Sequence, residues 1–197
     1  DGPPPVEAEP HPGGPGHLPP GSRNMALVGK VQLTNVDGGI ADVAAFGNYA
    51  YLNAFSPECR GRPGATGTGV HVVNISNPAD PTKVAFIPAH ENSYVGEGIH
   101  VVRASTLSFT GDILIHNNET CNATLFTPSG ASLWDVSDPT DPQPLNLNFG
   151  DTDPVPFLFS TGLYHSNHSV QGFTLPGKAF VVVVDNEEAF GPPFKDV

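Results

Sequence analysis

Short runs rich in Val, Ile, Leu, Phe and Tyr, broken by Gly, Asn, Asp and Pro, show no sustained helical periodicity, and one strand-and-turn phrase is written twice, 61 residues apart. Together these features predict an all-β chain, a β-propeller of four-stranded blades present as an incomplete ring. Residues 1–24 stand outside it. They hold eight of the 22 prolines and five of the 22 glycines with almost no large apolar side chain. Such a segment cannot bury enough surface to offset the entropy of ordering, and reads as a flexible lead-in.

The elements follow from residue 25 onward. "MALVGKVQLTN" (25–35) reads as a D-type strand, the outermost of a blade, with no A, B or C strand before it. "IADVAAFGNYAYLNAF" (40–55) is strand, Gly-Asn turn, strand, and "GVHVVNISNPADPTKVAFIPA" (69–89) is a second hairpin. In that second hairpin Val70, Val72, Val73 and Ile75 make an apolar strand, while the two prolines and the Ser and Asp side chains of Ser-Asn-Pro-Ala-Asp-Pro end the ladder and build the turn. Blade one therefore spans about 40–89.

"IHVVRASTLSFTGDILIHNN" (99–118) and "GASLWDVSDPTDPQPLNLNFG" (130–150) repeat the plan as blade two, about 99–150. "HSVQGFTLPGKAFVVVVDN" (168–186) starts blade three within about 165–197. A borrowed D strand, two full blades and half of a third cannot close a ring and would leave unpaired edges. The sequence thus reads as part of a longer protein, with the remainder of its own chain or a partner completing the propeller.

The units "VHVVNISNPADPTKV" and "SLWDVSDPTDPQPL", preceded by "DVAAFGNYAYL", resemble the LVIVD repeat of secreted bacterial β-propeller proteins. The stretches "GEGIHVV…FTGDILIHNNETC" and "HSNHSVQ…AFVVVVDNEE" resemble the actinobacterial type, and the resemblance covers about 25–197. It implies a propeller of about seven blades, with this chain as its N-terminal portion. It implies no activity, because propellers host unrelated functions.

Twenty acidic against eight basic residues give a net charge of −12, without the Lys/Arg clusters that nucleic-acid binding requires. No apolar run reaches the roughly 18 to 20 residues of a membrane span; the longest, "AFVVVVD" (179–185), has strand length. The expected location is secreted or at the cell surface. Two cysteines, Cys59 and Cys121, fall in equivalent loops of adjacent blades, where a cross-blade disulfide or two free buried thiols are the alternatives. Sequons for N-glycosylation begin at Asn74, Asn118, Asn122 and Asn167.

Chemistry is expected at the channel mouth, where the A strands begin. Asp42, His100 and His168 are read as equivalent positions on three successive A strands that converge near the axis. Two imidazoles and a carboxylate suit a divalent metal, Zn²⁺ or Ca²⁺, and equally suit another polar ligand or simple solvation. His165 precedes His168 by three residues, which on an extended chain points the two to opposite sides. "HNNETC" and "DNEEAF" put Glu119, Asp185 and Glu187 in loops on the same face, an oxygen-rich set for Ca²⁺ that lacks EF-hand spacing. No G-x-S-x-G, S-x-x-K or H-E-x-x-H signature occurs, so no catalytic residue is assigned. The preferred function is an extracellular or cell-surface binding or scaffold module for a glycan or protein. The alternatives are a metal-dependent, lactonase-like propeller hydrolase and a structural repeat of a larger surface assembly.

Overall fold

The computed structural model describes residues 25–35, 39–54, 67–91, 93–120, 130–149, 169–178 and 180–185. These residues are all-β, with no helix among them. The first sheet is an antiparallel meander of β1 (Asp42–Phe46), β2 (Tyr49–Ala54), β3 (Gly69–Asn74) and β4 (Thr82–Pro88), in that spatial order. The second contains β6 (Ile99–Ser105), β7 (Thr110–Asn117), β9 (Ala131–Asp135) and β10 (Gln143–Phe149), also neighbours in chain order. A third pair joins β11 (Ser169–Phe173) to β12 (Val181–Asp185). Two short strands, β5 (Ser93–Tyr94) and β8 (Glu119–Thr120), pair with each other and tie the connection before β6 to the one after β7. That small sheet was not expected from the sequence.

The duplicated turn is built by duplicated hydrogen bonds. The amide of Ser76 donates to Asn74 Oδ1 at 2.9 Å and that of Ser137 to Asp135 Oδ1 at 2.9 Å. The amide of Ala79 donates to Asn77 Oδ1 at 3.2 Å and that of Thr140 to Asp138 Oδ1 at 2.9 Å. Backbone bonds from Asp80 to Asn77 (3.0 Å) and from Asp141 to Asp138 (3.2 Å) close each turn. Asx side chains capping their own backbone explain why the phrase recurs as Asn/Asp-x-Ser-Asn/Asp-Pro-x-Asp-Pro. The Thr140 hydroxyl and amide together hold the Asp138 carboxyl below its ordinary range.

Packing follows the two-residue alternation of each strand. On the second sheet Ile99, Leu114, Trp134 and Val136 face the first sheet and bury with Tyr51, Val70, Val72 and Ile87. Its other face presents Val102, Ala104, Ile113, Ile115, Ala131 and Leu133 to β11, where Val170 completes a second core. The middle sheet is covered on both faces, which is why "ILI" and "SLW" read as apolar throughout. The inner strands run side by side, β1 against β6 and β6 against β11. Burial, then the Asp112 carboxylate and Tyr49, push the Tyr51 hydroxyl up and keep it neutral within the first core.

Residues 25–35 differ from expectation, for they form no strand. Met25 and Leu27 are both 80% exposed, and Gly29 passes so close to Pro78 that a Cβ there would lie 2.1 Å from its carbonyl oxygen. An outer strand needs a partner edge, and no described strand lies beside this segment. The outermost strands are irregular. The pairing of β10 with β9 shifts register twice, between Pro144 and Asn146 and between Asn146 and Phe149. That of β4 with β3 shifts between Val72 and Val73.

Candidate functional site

β1, β6 and β11 begin at one end of the sheets, and a polar seam lies there between the first two sheets. Each B-type strand carries an Asx residue at or next to its end: Asn53 on β2 opposite Asp42, Asn117 on β7 one residue past His116, which pairs with the first residue of β6, and Asp185 on β12 opposite Ser169. Asn53 Nδ2 reaches across the seam and donates to the Gly96 carbonyl at 2.7 Å. The Gly96 amide donates to Asn117 Oδ1 at 3.1 Å. Glu119, only 4% exposed, closes over Gly96, where a Cβ would meet its Oε2 at 2.2 Å. Ser132 Oγ donates to Asn118 Oδ1 at 2.8 Å, and Asn118 Nδ2 donates to the Leu147 carbonyl at 2.7 Å. Asn53, His116, Asn117, Asn118 and Ser132 are all fully enclosed.

Asp42 takes part as a clamp between sheets. Its Oδ2 accepts hydrogen bonds from the amides of Gly98 (2.9 Å) and Ile99 (3.1 Å), and its Oδ1 accepts the Val43 amide at 2.7 Å. Hydrogen bonds to a carboxylate are worth about 1.5–3 kcal/mol each when partly buried. Asp42→Ala is therefore expected to lose about 2–4 kcal/mol of stability, read as a lower urea midpoint. Asp42→Asn, which keeps one acceptor oxygen, should lose less.

His116 is the most deeply buried titratable group of the seam. Its Nδ1 contacts the Asn117 carbonyl at 2.9 Å, which makes Nδ1–H the donor and leaves Nε2 an acceptor with no described partner. Burial holds its pKa down to about 4, opposed by the Asn117 bond and reinforced by nearby His90. Asn53 Oδ1 is likewise buried without a described partner, its amide orientation set by the Gly96 bond. Both atoms accept hydrogen bonds, so the seam suits donors rather than anions.

Of the expected trio, Asp42 and His100 do not share one position, and His168 lies outside the described residues. Register places Gly98 and Ser169, opposite Asn117 and Asp185, in the row of Asp42. His100 lies two residues further along, in the row of Ala44, because the chain enters β6 through Gly98 in a left-handed turn (φ +85°). Asp42 meets the backbone before His100 and not its imidazole. His100 faces β11 instead, its Cβ 3.3 Å from where a Cβ on Gly172 would stand. Among the described residues no three His, Cys, Asp or Glu side chains gather into a metal shell.

Cys59, Cys121, Asn122, His165, Asn167, His168 and Glu187 lie outside the described residues, and Asp185 is placed only as the last residue of β12. Of the two described sequons, Asn74 sits at a half-buried strand end with its Oδ1 turned to Ser76. Asn118 is enclosed with its Nδ2 committed to Leu147, so the folded chain offers no room for a glycan there. Treatment with an amidase specific for N-glycans, after expression in a glycosylating host, should leave no mark at Asn118.

No family model matches this sequence, and a comparison with curated proteins finds no match. Identification therefore rests on the chain's own residues. The Asx residues at or next to the ends of the B strands are visible in the sequence as "YLN", "IHN" and "VVD", and aligning those strands rather than the A strands locates the seam.

Proposed function

We propose that this chain supplies blades of a β-propeller that serves as a binding or scaffold module outside the cell, and that its ligand surface lies at the end where β1, β6 and β11 begin. One observation carries the reading. Every long connection leaves from that end: 55–68 between β2 and β3, 89–98 between β4 and β6, 118–130 between β7 and β9, and 150–168 between β10 and β11. The opposite end is closed by shorter turns, Gly47–Asn48, 75–81, 106–109, 136–142 and 174–180. Recognition concentrates on variable loops held by a rigid scaffold, and here the scaffold segregates its loops.

The ordered stacking of β1, β6 and β11 supports radial blades, as does the likeness of the turn phrase to the LVIVD unit. The acidic balance, the Pro/Gly-rich lead-in and the lack of nucleophile signatures favour binding outside the cell over catalysis.

The test is a binding screen against cell-wall glycans and secreted proteins with three forms of the chain. Replacing 55–66 and 121–129 by Gly/Ser segments of equal length should abolish binding. Leu107→Ser with Leu175→Ser, at the turn end, should leave it intact. No ligand in the screen, or binding that survives loop replacement, overturns the proposal.

A further inference from the structure

His116 lies wholly enclosed next to the end of β7, on the face turned to the first sheet, since its ladder partners are Ile99 and Ser132 and Ile99 belongs to the first core. With Nδ1–H given to the Asn117 carbonyl, Nε2 is an acceptor without a described partner. A proton added there makes the atom a donor on a charged ring, still without an acceptor. Asn53 Oδ1 is also unpartnered, so the two atoms are not in hydrogen-bond contact. A closed seam therefore excludes the imidazolium.

Among the described residues, the charged groups about the seam are engaged or turned elsewhere. From β1 comes Asp42, whose carboxylate is taken by the amides of Val43, Gly98 and Ile99. β2 and β3 present the uncharged Asn53, Val70 and Val72, while β6, β9 and β10 present Ile99, Ser132 and Leu147. The connection 89–98 carries His90, which opposes a second positive charge, and the exposed Glu91 and Glu97. Glu119, on β8, is turned over Gly96.

What closes this end is slight. In the connection 89–98, Ser93 and Val95 are fully buried, yet β5 is fastened to β8 by two residue pairs, Ser93 with Thr120 and Tyr94 with Glu119. Single bonds add to them: the Ser93 amide to the His90 carbonyl at 3.1 Å, the Val95 amide to Thr68 Oγ1 at 3.3 Å and the Gly96 amide to Asn117 Oδ1 at 3.1 Å. The neighbouring ladders β2–β3 and β6–β7 hold through six and seven pairs. Where water must enter the seam, the clasp is the part that yields.

We infer that the β5–β8 clasp and the connection 89–98 form an acid-opened latch, which protonation of His116 lifts off the seam while both four-stranded sheets stay folded. The latch lies at the end proposed to bear the ligand but does not depend on that reading.

Amide hydrogen exchange of the whole chain tests it, followed residue by residue from pH 7.5 to 4 and corrected for intrinsic rates. Burial holds the His116 pKa at about 4, and an imidazole released to water returns to its ordinary 6.5. Protection of the Ser93, Val95 and Gly96 amides should therefore fall about 20-fold between pH 7 and pH 5, with a slope near one proton below 6.5 and none above it. Their exchange should not respond to dilute urea, because a local opening exposes little surface. The Val72 and Leu114 amides, inside the ladders, should stay better protected and respond to urea.

His116→Gln should flatten the fall at the clasp, and His90→Gln should leave it in place. If His116→Gln does not fold, the wild-type slope decides, since carboxylates titrate near pH 4 and would set the onset there. Clasp protection that is constant in acid, a fall that tracks urea-sensitive unfolding of the ladders, or one that survives His116→Gln overturns the inference.

Discussion

Gly98→Ala is expected to be among the most damaging single substitutions in the chain, costing about 3 kcal/mol or more. Gly98 has φ +85°, a conformation that costs an L-residue about 1–2 kcal/mol. An added methyl would also stand 2.2 Å from the Val170 amide nitrogen and 2.7 Å from its carbonyl oxygen. Those atoms are β11 backbone, which cannot give way without parting the second sheet from the third pair. The same shift would strain the bond from the Gly98 amide to Asp42 on the other side. Gly47→Ala is the control, because φ there is +59° but open space surrounds the position. It should lose only the conformational cost of about 1–2 kcal/mol. Urea midpoints of the two variants that fall equally would show that close approach of β11 is not what requires glycine at 98.

The second large effect is loss of stability in acid. His116 has its pKa held at about 4 in the folded chain against an ordinary 6.5, since burial disfavours the imidazolium. The unfolded chain therefore binds a proton through a window in which the folded one does not. The contribution is fully present above pH 6.5 and is lost as pH falls toward about 4, at roughly 1.4 kcal/mol per unit, or about 3 kcal/mol in all. Below about 4 both states are protonated and this group adds no further slope.

His71, held down to about 4 by burial and by Lys83, acts in the same direction, so both must be replaced to flatten the profile. Unfolding free energies measured from pH 7.5 to 4 should fall steeply for the wild type, less for His116→Gln and least for the double variant with His71→Gln. A profile unchanged by either substitution would assign the acid sensitivity to other groups.

Much of the fold was legible because its signals are local. The Asn-x-Ser-Asn-Pro and Asp-x-Ser-Asp-Pro phrases carry their own capping bonds, Gly47–Asn48 carries its turn, and the boundaries of both four-stranded sheets follow from them. Three features were not legible, each for want of local information. Residues 25–35 have strand-like composition, but a strand exists only with a partner edge, which composition does not encode. The pairing of Ser93–Tyr94 with Glu119–Thr120 joins segments too short to carry periodicity.

The placement of His100 depended on register. Matching the A strands by their polar residues put Asp42 beside His100, whereas the ladders align Asp42 with Gly98. One residue with positive φ changes what faces the neighbouring sheet. For the same reason Asn53 and His116 went unnoticed, since a buried polar residue at a strand end looks like an exposed one until the covering sheet is in place.

The kinks in the outermost ladders bear on how this chain survives at high concentration. A straight fringe of free amides invites a foreign ribbon to extend it, the first step toward fibrils. With Pro144 short of a donor and two dislocations within seven residues, the β10 fringe offers no run of evenly spaced groups for a stranger to zip onto. Straightening it, by Pro144→Val and removal of the irregularity at Asn146, would trade solubility for regularity.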